Sequence, residues 1–146
     1  MFTCSACAAT YPSSIPRWRC DCGHYLRYSS HVMFPKQELG QRQATLWRYF
    51  EAFGISNPDN IVSLGEGYTP LVADELFGQK VLLKMDYLCP TGSFKDRGTT
   101  VLLSKLKEWG LNRLVEDSSG NAGASVAAYA ARAGIQADIY IPAYTS

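Results

Sequence analysis

Four cysteines and one lysine stand where their neighbours could give them chemistry. Cys4-x2-Cys7 is followed twelve residues later by Cys20-x-Cys22. Four thiolates in two close pairs can surround Zn²⁺ as a tetrahedron, and the metal then replaces a missing apolar core. The second pair has one intervening residue where knuckles usually have two, and His24 offers a substitute ligand. The same four residues also suit an iron–sulfur site, free thiols, or two disulfides in an oxidising compartment. Structural zinc on Cys4, Cys7, Cys20 and Cys22 is the expectation. The lysine is Lys95, within Pro90-Thr91-Gly92-Ser93-Phe94-Lys95-Asp96-Arg97-Gly98. A cation in the first turn of a helix opposes the helix dipole, and partial burial against an apolar strand would favour the neutral amine further. A neutral amine is the form that attacks a carbonyl to make a Schiff base. The position also suits an ordinary solvated lysine at a helix start.

Two more loops carry polar groups between glycines. In Ser118-Ser119-Gly120-Asn121-Ala122-Gly123-Ala124-Ser125 the glycines let backbone N–H groups approach an anion at a helix N-terminus. An ordinary βα loop capped by Ser118 or Ser119 has the same composition. The loop lacks the lysine of a Walker motif and the spacing of a dinucleotide fingerprint. The third loop, Ser63-Leu64-Gly65-Glu66-Gly67-Tyr68-Thr69-Pro70-Leu71, reads by itself as a turn before a strand.

The elements that must hold these loops follow from periodicity. Leu46, Tyr49, Phe50 and Phe53 make an apolar stripe on a helix over 45–53, ended by Gly54. Val81–Met85 reads as a buried strand. Phe94–Trp109 reads as a helix with Leu102, Leu106 and Trp109 inward. Leu114-Val115 centres a strand, Ala122–Ala133 is a helix closed by Gly134, and Ala137–Ile141 is a last strand before Pro142. Strand, helix, strand, helix, strand predicts an α/β fold: a partial open parallel sheet with flanking helices, preceded by a small zinc-ribbon-like segment. Three divisions result: the cysteine-rich segment 1–28, a linker and helix over 29–60, and the α/β part over 61–146. Thr145-Ser146 falls where a further crossover helix would open, so truncation is expected, with sheet surface left for more protein to cover.

Composition narrows the class. Fourteen basic against thirteen acidic residues argues against nucleic acid or anionic membrane held by bulk charge. No run approaches a membrane span, and the N-terminus lacks a signal-peptide pattern, which makes the cytoplasm the expected address. Charged residues are 18%, low for a self-contained soluble domain, which points to a homo-oligomer or a missing C-terminal half. Trp18, Trp47 and Trp109 are expected as packing anchors, Cys89 as a buried inert thiol and His31 as solvated.

Taken in order, Gly-Glu-Gly-Tyr-Thr-Pro-Leu (65–71), Pro-Thr-Gly-Ser-Phe-Lys-Asp-Arg-Gly (90–98) and Asp-Ser-Ser-Gly-Asn-Ala-Gly-Ala-Ser (117–125) resemble the threonine synthases, a branch of the fold-type II pyridoxal-phosphate enzymes. Some of these carry a similar cysteine-rich N-terminus. The resemblance implies that Lys95 holds pyridoxal phosphate through its amine and later moves protons at the substrate carbons. It implies that Asn121 faces O3′ of the cofactor ring. Ser118, Ser119, Gly120 and Asn121 would hold the carboxylate of a small amino-acid substrate. The implied reaction turns O-phospho-L-homoserine and water into L-threonine and phosphate. In that family the cup for the cofactor phosphate lies later in the chain than Ser146, so these residues alone are expected to be inactive. A cysteate synthase-like or threonine dehydratase-like enzyme, or a non-catalytic zinc-stabilised remnant, is the alternative. Arg97 is expected as a structural ion-pair former.

Overall fold

A computed structural model describes residues 1–28 and 35–145; His31, with the first six residues of the expected linker, lies outside them. The chain opens with three short antiparallel strands, β1 (Phe2–Cys4), β2 (Thr10–Tyr11) and β3 (Leu26–Tyr28), in the order β2-β1-β3. Cys4 and Cys20 are the buried residues of this segment. Everything apolar that it buries is therefore sulfur. The ribbon sits on the rest of the chain through Trp109, which stacks edge-on with Phe2 and donates from Nε1 to the Ser13 carbonyl at 3.0 Å.

The stripe over 45–53 folds as a 3-10 helix, Leu46–Phe53, and not as an α-helix, because Tyr49 breaks it at φ −106°, ψ 30°. Its ends are as expected: Thr45 accepts from the Trp47 N–H, and Gly54 takes the left-handed conformation.

The predicted buried strand at 81–85 is a larger correction. β5 (Gln79–Lys84) pairs antiparallel with β4 (Leu71–Leu76), and nearly all of the hairpin is exposed. Phe77 and Gly78 join the strands with φ of 52° and 75°. A two-residue connection with both φ positive matches the right-handed strand twist, so it closes a hairpin. A branched apolar run reads the same in a buried parallel strand and in an exposed ribbon. The parallel sheet therefore has two strands, not three.

The remainder follows the expected order. α1 (Asp96–Glu108) leads to β6 (Arg113–Asp117), α2 (Asn121–Ala133) and β7 (Gln136–Tyr140), with β6 and β7 parallel from Arg113↔Gln136 to Asp117↔Tyr140. Val62, Leu103, Tyr129, Ala130 and Ile135 form the core between the helices and this pair. The inward face of α1 is the predicted one only in part: Leu106 packs against the core and Trp109 against Phe2, but Leu102 does not turn inward. Leu102 is 44% exposed, whereas Thr99, Thr100, Leu103 and Ser104 are buried. The hydroxyls explain this. Thr100 Oγ1 donates to the Val62 carbonyl at 2.7 Å, Ser104 Oγ accepts from the Val62 N–H at 2.8 Å, and Ser104 donates to the Thr100 carbonyl at 2.7 Å. An extended segment thus pairs with helix side chains where it would otherwise bury bare amides.

Gly123 lets α2 reach the sheet. A Cβ there would lie 2.9 Å from Ile139 Cγ2 and 3.0 Å from the Ser118 carbonyl oxygen. Gly123→Ala is expected to destabilise by about 1–3 kcal/mol through overpacking. Gly98→Ala, where nothing lies within 4 Å, is expected to be neutral or to stabilise by up to about 1 kcal/mol. Equal urea midpoints for the two variants would show that α2 does not depend on this close approach.

Candidate functional site

The strongest organiser of the site is Asp96, the residue after Lys95. It is fully buried at the first position of α1. Its Oδ2 accepts from the Thr91 N–H at 2.8 Å, and Oδ1 accepts from Thr91 Oγ1 at 2.5 Å and Ser125 Oγ at 2.6 Å. One carboxylate therefore closes the 90–98 loop and ties it to the first turns of α2. The result places Lys95 at the start of α1 and Asn121 at the start of α2, with the two helices packed together. Sequence reasoning gave Asp96 and Ser125 no role. The sequence showed only an aspartate at a helix start; its partners lie five and twenty-nine positions away.

Lys95 itself is exposed, and the expected burial against a strand is absent because β5 belongs to the exposed hairpin. Its Nζ lies 5.1 Å from the centroid of the Phe94 ring. No carboxylate pairs with it among the described residues. An accessible amine without a counter-ion fits a carbonyl-bearing cofactor.

In the 118–125 loop, Ser118 supplies the cap. Its Oγ accepts from the N–H of Gly120 at 3.3 Å and of Gly123 at 3.0 Å, and its own N–H extends the β6–β7 register to the Tyr140 carbonyl at 3.1 Å. The Ser118 hydroxyl and the Gly123 amide are thus occupied within the protein. Ser119, Gly120 and Asn121 are exposed, and the N–H groups of Asn121 and Ala122 have no partner among the described residues. These groups, at the start of a 13-residue helix, remain available to an anion.

Arg97 is an ion-pair former, as expected. Its Nη2 lies 2.8 Å from Asp86 Oδ1 and 3.0 Å from Thr69 Oγ1. The guanidinium holds the Asp86 carboxyl below the usual carboxylate range. Cys89 is buried, and burial pushes its thiol up.

The structure brings all four N-terminal cysteines together. Their Sγ atoms lie within 4.8 Å of one another, with 3.5 Å between Cys4 and Cys22 and 3.6 Å between Cys7 and Cys20. A disulfide would need about 2.05 Å. A tetrahedron with metal–sulfur bonds of about 2.3 Å has edges of about 3.8 Å, which these separations fit. The Tyr11 hydroxyl, 3.1 Å from Cys20 Sγ, draws that thiol down to about 6. The N–H groups of Cys7 and Ala6 lower Cys4. Both effects favour thiolate, the ligand form, at these two positions; at Cys22 the His24 backbone contact is outweighed by the neighbouring Cys20 and Cys4 sulfurs, which push this thiol up to about 12, and Cys7 is also raised. His24 stays at the rim, with Nδ1 3.6 Å from Cys22 Sγ.

Comparisons with known proteins extend this picture. The chain is 36% identical over 149 aligned positions to "Threonine synthase" of Methanocaldococcus jannaschii, covering 95% of this chain and 37% of that protein. It is 41% identical over 113 positions to "Threonine synthase" of Synechocystis, covering 70% of this chain and 30% of that one. Against the Mycobacterium leprae protein of the same name it is 47% identical over 85 positions, 56% and 24% of the two chains. The chain thus spans about a quarter to a third of the length of these curated relatives. No helix among the described residues is long and apolar enough to cross a membrane. The family described as "Pyridoxal-phosphate dependent enzyme" matches residues 62–146, the stretch that holds all three loops, so the chain belongs to that family.

Proposed function

We propose that this chain supplies the lysine-bearing part of a threonine synthase-like carbon–oxygen lyase, which converts O-phospho-L-homoserine and water to L-threonine and phosphate. The observation that carries this reading is the Asp96 joint, which ties the loop that bears Lys95 to the first turns of α2, the helix that opens at Asn121. Lys95 binds the cofactor through its amine, and once released from it moves protons at the substrate carbons. Asn121 sets the orientation of the cofactor ring. Ser119, Gly120 and the amides of Asn121 and Ala122 receive the substrate carboxylate at the positive end of α2. Ser118 acts one step back by fixing that loop through its cap. Pyridoxal phosphate, when bound, supplies the electron sink that stabilises negative charge on the substrate carbons.

The ribbon takes a structural role in this proposal, with Zn²⁺ held by Cys4, Cys7, Cys20 and Cys22. Further protein, equivalent to the rest of a relative-length chain or to a second copy, covers the apolar side chains exposed at Leu82, Phe77, Val115 and Ile141. Support for this comes from the share of its relatives that the chain spans.

The test is a borohydride trap. The purified chain is incubated with pyridoxal phosphate, reduced, digested and mapped by mass. Label confined to Lys95, and lost in Lys95→Ala, is the expected result. No phosphate release from O-phosphohomoserine is expected from these residues alone. Label scattered over other lysines would overturn the assignment.

A further inference from the structure

The arginines of the ribbon lie over aromatic rings. Arg17 is 4.1 Å from the Tyr11 centroid, Arg19 4.3 Å from that of Trp18, and Arg27 5.6 Å from that of Tyr25. Arg17 is committed to Asp21 at 2.7 Å. Arg19 and Arg27 have no carboxylate partner among the described residues, and Asp21 is the one acidic residue of the segment 1–28. Arg19 and Tyr25 are bridged antiparallel, so their side chains leave the same face of the ribbon. Arg27, two residues along, returns to that face and donates to the Tyr25 hydroxyl at 3.0 Å.

The rings beside Arg19 and Arg27 are open to solvent. Trp18 is 79% exposed and Tyr25 59%. Trp18 is therefore not the packing anchor that its residue type suggested. Trp47 and Trp109 are, each with its indole N–H bonded inside the protein. An open cavity of about 600 Å³ runs along residues 16–23 beside Trp18 and Arg19, and Asp21, Cys20 and Cys22 also line it. Neither the Lys95 site nor the cysteine cluster uses Trp18, Arg19, Tyr25 or Arg27.

We propose that this face binds single-stranded nucleic acid, with bases stacked on Trp18 and Tyr25 and phosphates met by Arg19 and Arg27. A carboxylate-bearing peptide would need the guanidinium groups but would gain little from a bare indole. Bases gain from both, because stacking on aromatic rings and arginine planes tolerates any sequence. The near-neutral total charge is no obstacle, since the two uncommitted cations are concentrated on one small surface. The proposal is independent of the lysine chemistry.

The test uses the whole chain and fluorescein-labelled oligoadenylate of about a dozen nucleotides, near the site size of one small binding module. Its arms are RNA, the DNA counterpart and a polyglutamate peptide of equal length. Binding of either oligonucleotide should weaken with salt at a log–log slope of about −1.4, the value for two phosphates. Trp18→Ala should weaken it about tenfold or more, as loss of one stacked base does, while Trp18→Phe retains it. The double variant Arg19→Ala/Arg27→Ala should bring the slope near zero. Preference for RNA over DNA would assign a contact to the 2′-hydroxyl; equal binding would assign stacking and phosphate alone. Polyglutamate binding as tightly as the oligonucleotides would overturn the proposal in favour of an acidic peptide. So would unchanged binding in Trp18→Ala, or no binding at low salt. These side chains are exposed, and circular dichroism matching the parent checks that each variant folds.

Discussion

Replacing Glu66 by glutamine is expected to cost about 2–4 kcal/mol of stability, because its bonds to a carboxylate weaken together and one of them turns donor against donor. Glu66 is fully buried. Its Oε1 accepts from Trp47 Nε1 at 3.0 Å and Ser63 Oγ at 3.0 Å, and Oε2 accepts from the Leu64 N–H at 2.9 Å and the Tyr129 hydroxyl at 2.7 Å. Each oxygen thus faces one group that can only donate: an indole N–H on one side and a backbone N–H on the other. A glutamine must turn its NH₂ toward one of them; turned toward the indole it sets donor against donor and leaves Trp47 only its second acceptor, Thr100 Oγ1 at 2.9 Å. Tyr129 feels the same burial: its phenol is pushed up by loss of water and then by the Glu66 carboxylate. Tyr129→Phe removes a single donor and is expected to cost about 1.5–3 kcal/mol, the worth of one hydrogen bond to a charged group. Urea unfolding at constant m-value reads both. A smaller loss for Glu66→Gln than for Tyr129→Phe would show that the carboxylate is not the joint between the 63–69 loop, the 46–53 turn and α2.

That joint explains what the 65–71 loop does in the fold. The backbone carbonyl of Glu66 also accepts from the Leu46 N–H at 2.8 Å, and a Cβ on Gly67 would lie 2.6 Å from that nitrogen. The glycine is needed for this approach, and the approach seats the glutamate. Sequence reading marked the loop through its glycines and left the glutamate without a role. Residue type alone does not tell a buried acceptor from a solvated one.

Elsewhere legibility depended on what periodicity counts. α2 was legible because alanines and a closing glycine mark a helix from end to end, and Gly134 caps it through bonds to the Ala130 and Ala131 carbonyls. The inward face of α1 was hidden in part, because its buried positions are threonines and serine that satisfy an adjoining backbone segment. Apolar counting selected Leu102, which faces outward. The lysine loop could be found from its glycine and its place before a helix. Its anchor, Asp96, could not, since the partners Thr91 and Ser125 lie five and twenty-nine positions away. The cysteine spacing foretold a cluster, and the irregular second pair did not prevent it, because Cys22 reaches Cys4 while Cys20 reaches Cys7.

Removing the metal proposed for the ribbon is expected to unfold residues 1–28 while leaving α1 and α2 folded. Three strands of two or three residues cannot stand alone. Both buried side chains of the segment, Cys4 and Cys20, are sulfur ligands in the proposed site, so without metal little more than the Phe2 contacts with Tyr28 and Trp109 holds the strands. Structural zinc supplies about 10–16 kcal/mol of apparent binding energy to small domains, enough to order this segment. The helices have their own core at Val62, Leu103, Tyr129, Ala130 and Ile135. A strong chelator should therefore abolish amide protection in the ribbon and release four reactive thiols, with Cys89 still buried. Protection of α1 and α2 should change little. Trp109 emission should shift red as its contacts with Phe2 and Ser13 are lost. A reductant without chelator should do none of this, which separates metal from disulfide. Ribbon amides that stay protected after the metal is gone would show that the strands are held by packing on Trp109 alone.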